Sequence, residues 1–200
     1  AEAAGAWYGF DALGTLRLAQ LTVPAGTPVV ELTTWNLRDL ELQTTADGAN
    51  AVPVWRVELD YATNYSVQET DLAGSVTAER RGWLARAART AAAENPAVQT
   101  AHPLSEPLRA ATPLISAADA VTEAERRLAL FSVRRDRVRV TVRLDAPTLA
   151  ALQLGCVVRL THPRYGYSAG PLFRLLALQL DLRLNRAELT LWGGPMEEDT

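Results

Sequence analysis

The chain has 200 residues, a hydrophobic share of 48%, a charged share of 22% and a formal net charge of -3. An acidic balance argues against a general nucleic-acid binder, which carries a basic surplus, and the single cysteine, Cys156, excludes an internal disulfide. No stretch approaches the roughly eighteen uninterrupted apolar residues that a membrane-spanning helix needs, and no Cys/His cluster has zinc spacing.

All 20 basic residues are arginine. The chain opens at Ala1 and its single methionine is Met196, which reads as a piece cut from a longer protein. Segments 7–10 and 15–23 are apolar-rich and flank Asp11-Ala12-Leu13-Gly14. Such a linker is hairpin chemistry, because glycine supplies the positive φ that these turns need. Leu16, Leu18 and Gln20 share one face of the second segment, with Arg17, Ala19 and Leu21 on the other, so its buried face stays open. Residues 24–28 form a loop and 29–32 a short strand. Thr34 is placed to cap a brief helical turn over 35–38. Leu40 and Leu42 alternate with Glu41 and Gln43 as a half-buried strand, and Asp47-Gly48 marks a turn. Residues 54–67 are the long strand of the first half, with Trp55, Val57, Leu59 and Tyr61 on its buried side.

Residues 75–92 lack proline and place Val76, Trp83, Leu84, Ala87 and Ala88 on one face, which predicts a helix. Asn95-Pro96 ends it. Residues 97–114, with Pro103, Pro107 and Pro113, read as extended or loop structure with edge strands. Ser116 and Asp119 form a near capping box at the head of a second helix. Its expected buried stripe is Ala117, Val121, Ala124, Leu128 and Phe131, and Glu123 can pair with Arg127 one turn on. Val138, Val140, Val142 and Leu144 then alternate with Arg137, Arg139, Thr141 and Arg143 in a strand. Pro147 starts a helical turn through Leu152, ended by Gly155. A strand at 156–162, a loop at 162–170, two strands at 172–184 and 187–192, and a frayed tail at 195–200 complete the chain. Strands gathered at both ends and helices between them predict an α+β fold on antiparallel, barrel-like sheet with about two packed helices. The β-rich core takes residues 1–70 and 132–194, and 71–131 form a helix-containing insertion.

No catalytic centre, metal site or cofactor site emerges from the residues. Glu58 and Asp60 share a strand face, where two acids are solvated surface more often than a glycosidase pair. Gly166-Tyr167-Ser168-Ala169-Gly170 matches the nucleophile elbow by letter, but Pro171 and a strand follow instead of a helix, and His102 and His162 both precede the serine. The two histidines each precede a proline and have no ligand spacing. Cys156 reads as a small core residue. Arg134, Arg135, Arg137, Arg139 and Arg143 crowd one segment. They suit phosphate, nucleic acid or an acidic partner protein, or a solvent face paired across the sheet with Glu58, Asp60 or Asp181. Tyr165 and Tyr167 flank Gly166 in a loop, as a sugar-binding platform or a subunit contact would.

Residues 154–193, LGCVVRLTHPRYGYSAGPLFRLLALQLDLRLNRAELTLWG, resemble the C-terminal part of bacteriophage tail proteins of the baseplate-hub or tail-tip class. The shared pattern is Leu-Gly-acid, an apolar strand, a loop with glycine, a Phe-Arg strand, a basic turn, and a strand ending at Leu-Trp-Gly. The resemblance continues through Arg134-Arg135-Asp136-Arg137-Val138 and the helix before it, and through Tyr8-Gly9-Phe10-Asp11 with Gly14-Thr15-Leu16-Arg17. Cys156 departs from it, standing where an acid is usual. The resemblance implies a non-enzymatic virion structural protein that forms a ring, often trimeric, joining tail tube to tip. It places the protein in the virion tail and, during assembly, in the host cytoplasm, with copies of itself and other tail proteins as partners and no cofactor. Tyr165, Tyr167, Arg137, Arg139 and Arg143 are the candidate ligand or subunit contacts. Two other functions stay open: a module recognising host-surface glycan through loop 162–170, and a non-catalytic accessory domain of an envelope-degrading enzyme.

Overall fold

The computed structural model describes residues 6–10 and 14–194; linker residues 11–13 and the tail expected to fray lie outside them. In chain order the strands and helices are β1 (Ala6–Phe10), β2 (Leu16–Gln20), β3 (Val30–Thr33), β4 (Leu37–Thr44), β5 (Arg56–Tyr61), α1 (Ala78–Leu84), β6 (Arg89–Glu94), α2 (Pro96–Ala101), β7 (Leu108–Ala111), α3 (Ala117–Phe131), β8 (Asp136–Arg143), α4 (Ala146–Ala151), β9 (Val157–Thr161), β10 (Leu172–Asp181) and β11 (Arg186–Gly193). The fold is α+β on mostly antiparallel, curled sheet, as expected.

Alternation in β8, and in β11 as far as Leu191, builds the larger sheet, ordered β3-β9-β10-β11-β8-β4. Val138, Val140 and Val142 face one way and stand opposite Leu191, Leu189 and Ala187, all six without exposed surface. Leu32, Leu40, Val158, Leu160, Phe173 and Leu175 join them in one core, each large side chain contributing about 1.5–3 kcal/mol by leaving water. The edge strands β3 and β4 are consecutive in the chain, linked by Thr34, Trp35 and Asn36 alone. So short a link spans at most about 14 Å. The sheet therefore curls until its edges approach, giving a half-barrel. The helical turn expected at 35–38 is instead a reversal: Asn36 Oδ1 accepts from the Thr33 amide at 2.6 Å, and the Asn36 amide donates to the Thr33 carbonyl at 3.1 Å. An asparagine that satisfies the turn from within leaves no helix to cap.

A second sheet, β6-β5-β7, is covered on one face by α3. Val57 and Leu59 lie opposite Ala93 and Ala91 on one side and Leu108 and Ala110 on the other. Ala120 and Ala124 of α3 are buried here, alanine against alanine, which lets helix and sheet approach closely. Residues 75–92 thus depart from the helix expected over them: α1 ends at Leu84, and Arg89–Glu94 is strand. Alanine is the best helix former, yet in β6 it is used for its small size beneath α3. The strand expected over 54–67 stops at Tyr61, because Ala62 turns to a left-handed φ of 50°. Pro96 begins α2 instead of ending a helix, occupying its first turn with Asn95 capping the Ala97 amide at 3.2 Å. The buried face of α3 is also rotated from the expected stripe, taking in Ala120, Glu123, Ala124, Arg127 and Leu130 while Val121 stays 39% exposed. Trp192 seals the junction of the two sheets, with the Phe131 ring edge-on at 6.5 Å and the Arg135 guanidinium 5.6 Å from its ring.

Candidate subunit-contact surface

The arginines of β8 point away from the barrel core, as the alternation requires, and most of them meet acids. Just before the strand, Arg134 makes two bonds to buried Asp136, at 2.9 and 3.0 Å. Arg137 donates to Asp47 at 2.6 Å, and the Trp192 indole N–H donates to the same carboxylate. Arg139 lies 3.5 Å from Glu41 and 3.4 Å from Glu188 on the flanking strands. Arg143 is exposed near Asp145, whose pKa is lowered first by hydrogen bonds from Thr148 and then by this charge. The expected partners Glu58 and Asp60 sit on the other sheet. Glu58 pairs there with Arg56 at 2.8 Å and Arg109 at 2.7 Å, and Asp60 accepts from the Thr90 hydroxyl at 2.8 Å. Asp181 pairs with Arg186 at 3.3 Å.

The loop after β9 gives its two tyrosines unequal burial, although their rings lie 5.9 Å apart. Tyr167 has no exposed surface. Its ring packs edge-on against Phe173 at 5.3 Å, and its hydroxyl donates to buried Asp136 at 2.7 Å. Burial, and then the bond to Asp136, push its pKa far above the ordinary phenol range, so it acts as a neutral donor. Tyr165 holds a left-handed φ of 63° and is 39% exposed. One accessible ring remains from the expected pair. Ser168 lies in a single tight turn between two left-handed glycines, Gly166 and Gly170, and β10 follows without a helix. His162 accepts the Arg164 amide through Nδ1 at 3.1 Å, and His102 ends α2. Burial pushes the Cys156 thiol up from its ordinary value, away from reactive thiolate character. Among the described residues, no three His, Cys, Asp or Glu side chains gather as a metal would need. No helix among them is long and apolar enough to cross a membrane.

The conspicuous surface lies elsewhere. β1 and β2 pair with each other and join neither larger sheet. Tyr8 stands opposite Leu18 and Phe10 opposite Leu16, so period-two geometry gathers all four on one face. They are 67%, 68%, 67% and 59% exposed, respectively, and no charged side chain interrupts them. At about 150–250 Å² for a whole aromatic side chain, the face presents several hundred Å² of apolar surface, the size that marks interaction sites. On the opposite face Gly9 seats on Leu154, whose Cδ1 lies where a Cβ would go. The alternation of Tyr8 with Phe10 and of Leu16 with Leu18 was visible in the sequence, but their common face appears only once the hairpin register is known.

No protein-family model and no curated protein matches the chain. Among solved structures, a tail protein from Neisseria meningitidis MC58 is similar over 96% of this chain and 51% of its own, with 14% identity and a TM-score of 0.53. The 43 kDa tail protein of prophage MuSo2 from Shewanella oneidensis matches over 96% and 51%, with 14% identity and a TM-score of 0.49. A protein of the native gene transfer agent virion matches over 86% and 34%, with 20% identity and a TM-score of 0.49. The first of these shows a shared fold, and the chain spans about half of that protein's length.

Proposed function

We propose that this chain is a non-enzymatic structural component of a phage tail, of the baseplate-hub or tail-tip kind, assembling with copies of itself into a ring between tail tube and tip. The observation that carries the reading is the charge-free face of Tyr8, Phe10, Leu16 and Leu18, four large apolar side chains gathered side by side and left to solvent. A two-stranded ribbon is marginal in water by itself, and covering its apolar face against another subunit would stabilise both. The fold shared with a tail protein supports the same role. The salt-paired arginines of β8 supply polar surface around the barrel that suits the rim of such contacts. Native mass spectrometry and light scattering of the full-length protein test the reading. A closed ring is expected, and a strict monomer at high concentration overturns it. Glycan recognition retains one accessible tyrosine, Tyr165, of the two-ring platform it called for.

A further inference from the structure

Three consecutive residues leave β2 and are gripped by guanidiniums from two different layers. Arg126 of α3 donates from Nη1 to the Leu21 carbonyl at 2.9 Å, while Glu123 holds its Nε and Nη2 at 2.7 and 2.9 Å. Arg174 of β10 donates from Nε to the Thr22 carbonyl at 3.0 Å, and from Nη2 to the Thr22 hydroxyl at 2.9 Å and the Val23 carbonyl at 3.3 Å. Its Nη1 donates to the Gly155 carbonyl at 2.6 Å. Gly155 follows Leu154, the side chain on which Gly9 of β1 rests. The turn beneath Gly9 and the strap after β2 therefore converge on one side chain. All four of these oxygens are neutral, so Arg174 spends its fork of donors on holding backbone, a task for which a lysine has the charge but not the geometry.

We propose that Arg174 is the positioning residue of the β1–β2 hairpin, tying the strap after β2 and the turn beneath Gly9 of β1 to the half-barrel and thereby fixing the direction of its apolar face, with Arg126 as a second hold from α3. These bonds carry the pose, and its bearing on assembly rests on the reading of that face as a subunit contact. Hydrogen exchange of the full chain, followed by mass spectrometry at a dilution where it is monomeric, tests the pose. In Arg174→Met and Arg174→Lys, amides of β1 and β2 should exchange about tenfold faster, as expected on losing bonds from a charged donor, with β8 to β11 unchanged. Hairpin exchange at the wild-type rate overturns the proposal, as does loosening that spreads evenly through β8 to β11, or full protection restored by lysine. If the Arg174 variants do not fold, Arg126→Met reads the strap from the other side: faster exchange confined to the hairpin supports the proposal, and unchanged exchange overturns it. A wild-type chain that never oligomerises would overturn the subunit-contact reading while leaving these exchange results standing.

Discussion

A carboxylate with no exposed surface persists only if donors replace the water it has lost, and Asp136 has the Arg134 guanidinium and the Tyr167 hydroxyl. In Tyr167→Phe the ring keeps its packing on Phe173 but the acid loses a donor. Chemical denaturation should show a loss of about 1–3 kcal/mol, and a midpoint equal to wild type would show that the bond contributes nothing. Glu123 is the second buried acid with a readable role. Burial raises its pKa, but hydrogen bonds and charges from Arg126 and Arg127 outweigh that and leave it below its ordinary 4.5. Because the folded value is depressed, the stability this group contributes is complete above the unfolded value and is lost as pH falls through the folded one. Urea midpoints followed from neutral pH to about pH 3 should fall more steeply for wild type than for Glu123→Gln; parallel curves would refute the linkage. Helical spacing gave the Glu123–Arg127 pair, which forms at 2.7 Å, but it assigns such a pair to solvent; the burial of that pair and the Tyr167–Asp136 bond come only from packing.

Elements whose burial follows a simple period were legible in the sequence. β8 alternates throughout and β11 as far as Leu191, and both bury the residues that alternation selects. Where packing reuses a residue for its size, the local signal misleads. Ala91 and Ala93 would suit a helix, and what makes them strand is α3 crossing above, information held in residues 117–131. The rotated stripe of α3 has the same origin, since its contact with β5 and β6 needs small Ala120 and Ala124 where a larger side chain would hold the layers apart. Glycine at the end of β11 is a further case that only packing reveals. A Cβ on Gly193 would strike the Leu172 carbonyl and lie 3.0 Å from the Phe173 Cα, and backbone cannot swing aside as a side chain can. Gly193→Ala should cost about 1–3 kcal/mol, seen as a lowered thermal midpoint; an unchanged midpoint would mean that β10 and β11 separate there without penalty.

For the whole molecule, the test of assembly must separate contact from stability. Leu18→Asp places a charge on a face that the folded monomer does not use, so at a dilution where both chains are monomeric its thermal midpoint should stay near wild type, within about 0.5 kcal/mol. Sedimentation should nevertheless show the oligomer lost. Intact oligomers in this variant would remove the hairpin face from the contact. The three-residue link between the sheet's two edges has another consequence, for how the chain reaches this state. β3 and β4 leave the ribosome early, one directly after the other, but Val30 pairs with Val158 and Leu40 with Val140, a hundred or more residues downstream. Neither strand can complete its ladder until the second half of the chain has been made, and β11, which bridges β10 to β8, comes last among the described strands. Closing loops of that length before any non-local contact repays them makes folding slow. Through that interval both early strands carry unpaired edges, open to the wrong partner. The two strands joined by the short link, edges of the finished half-barrel, are thus the ones left open to mispairing while the rest of the chain is made.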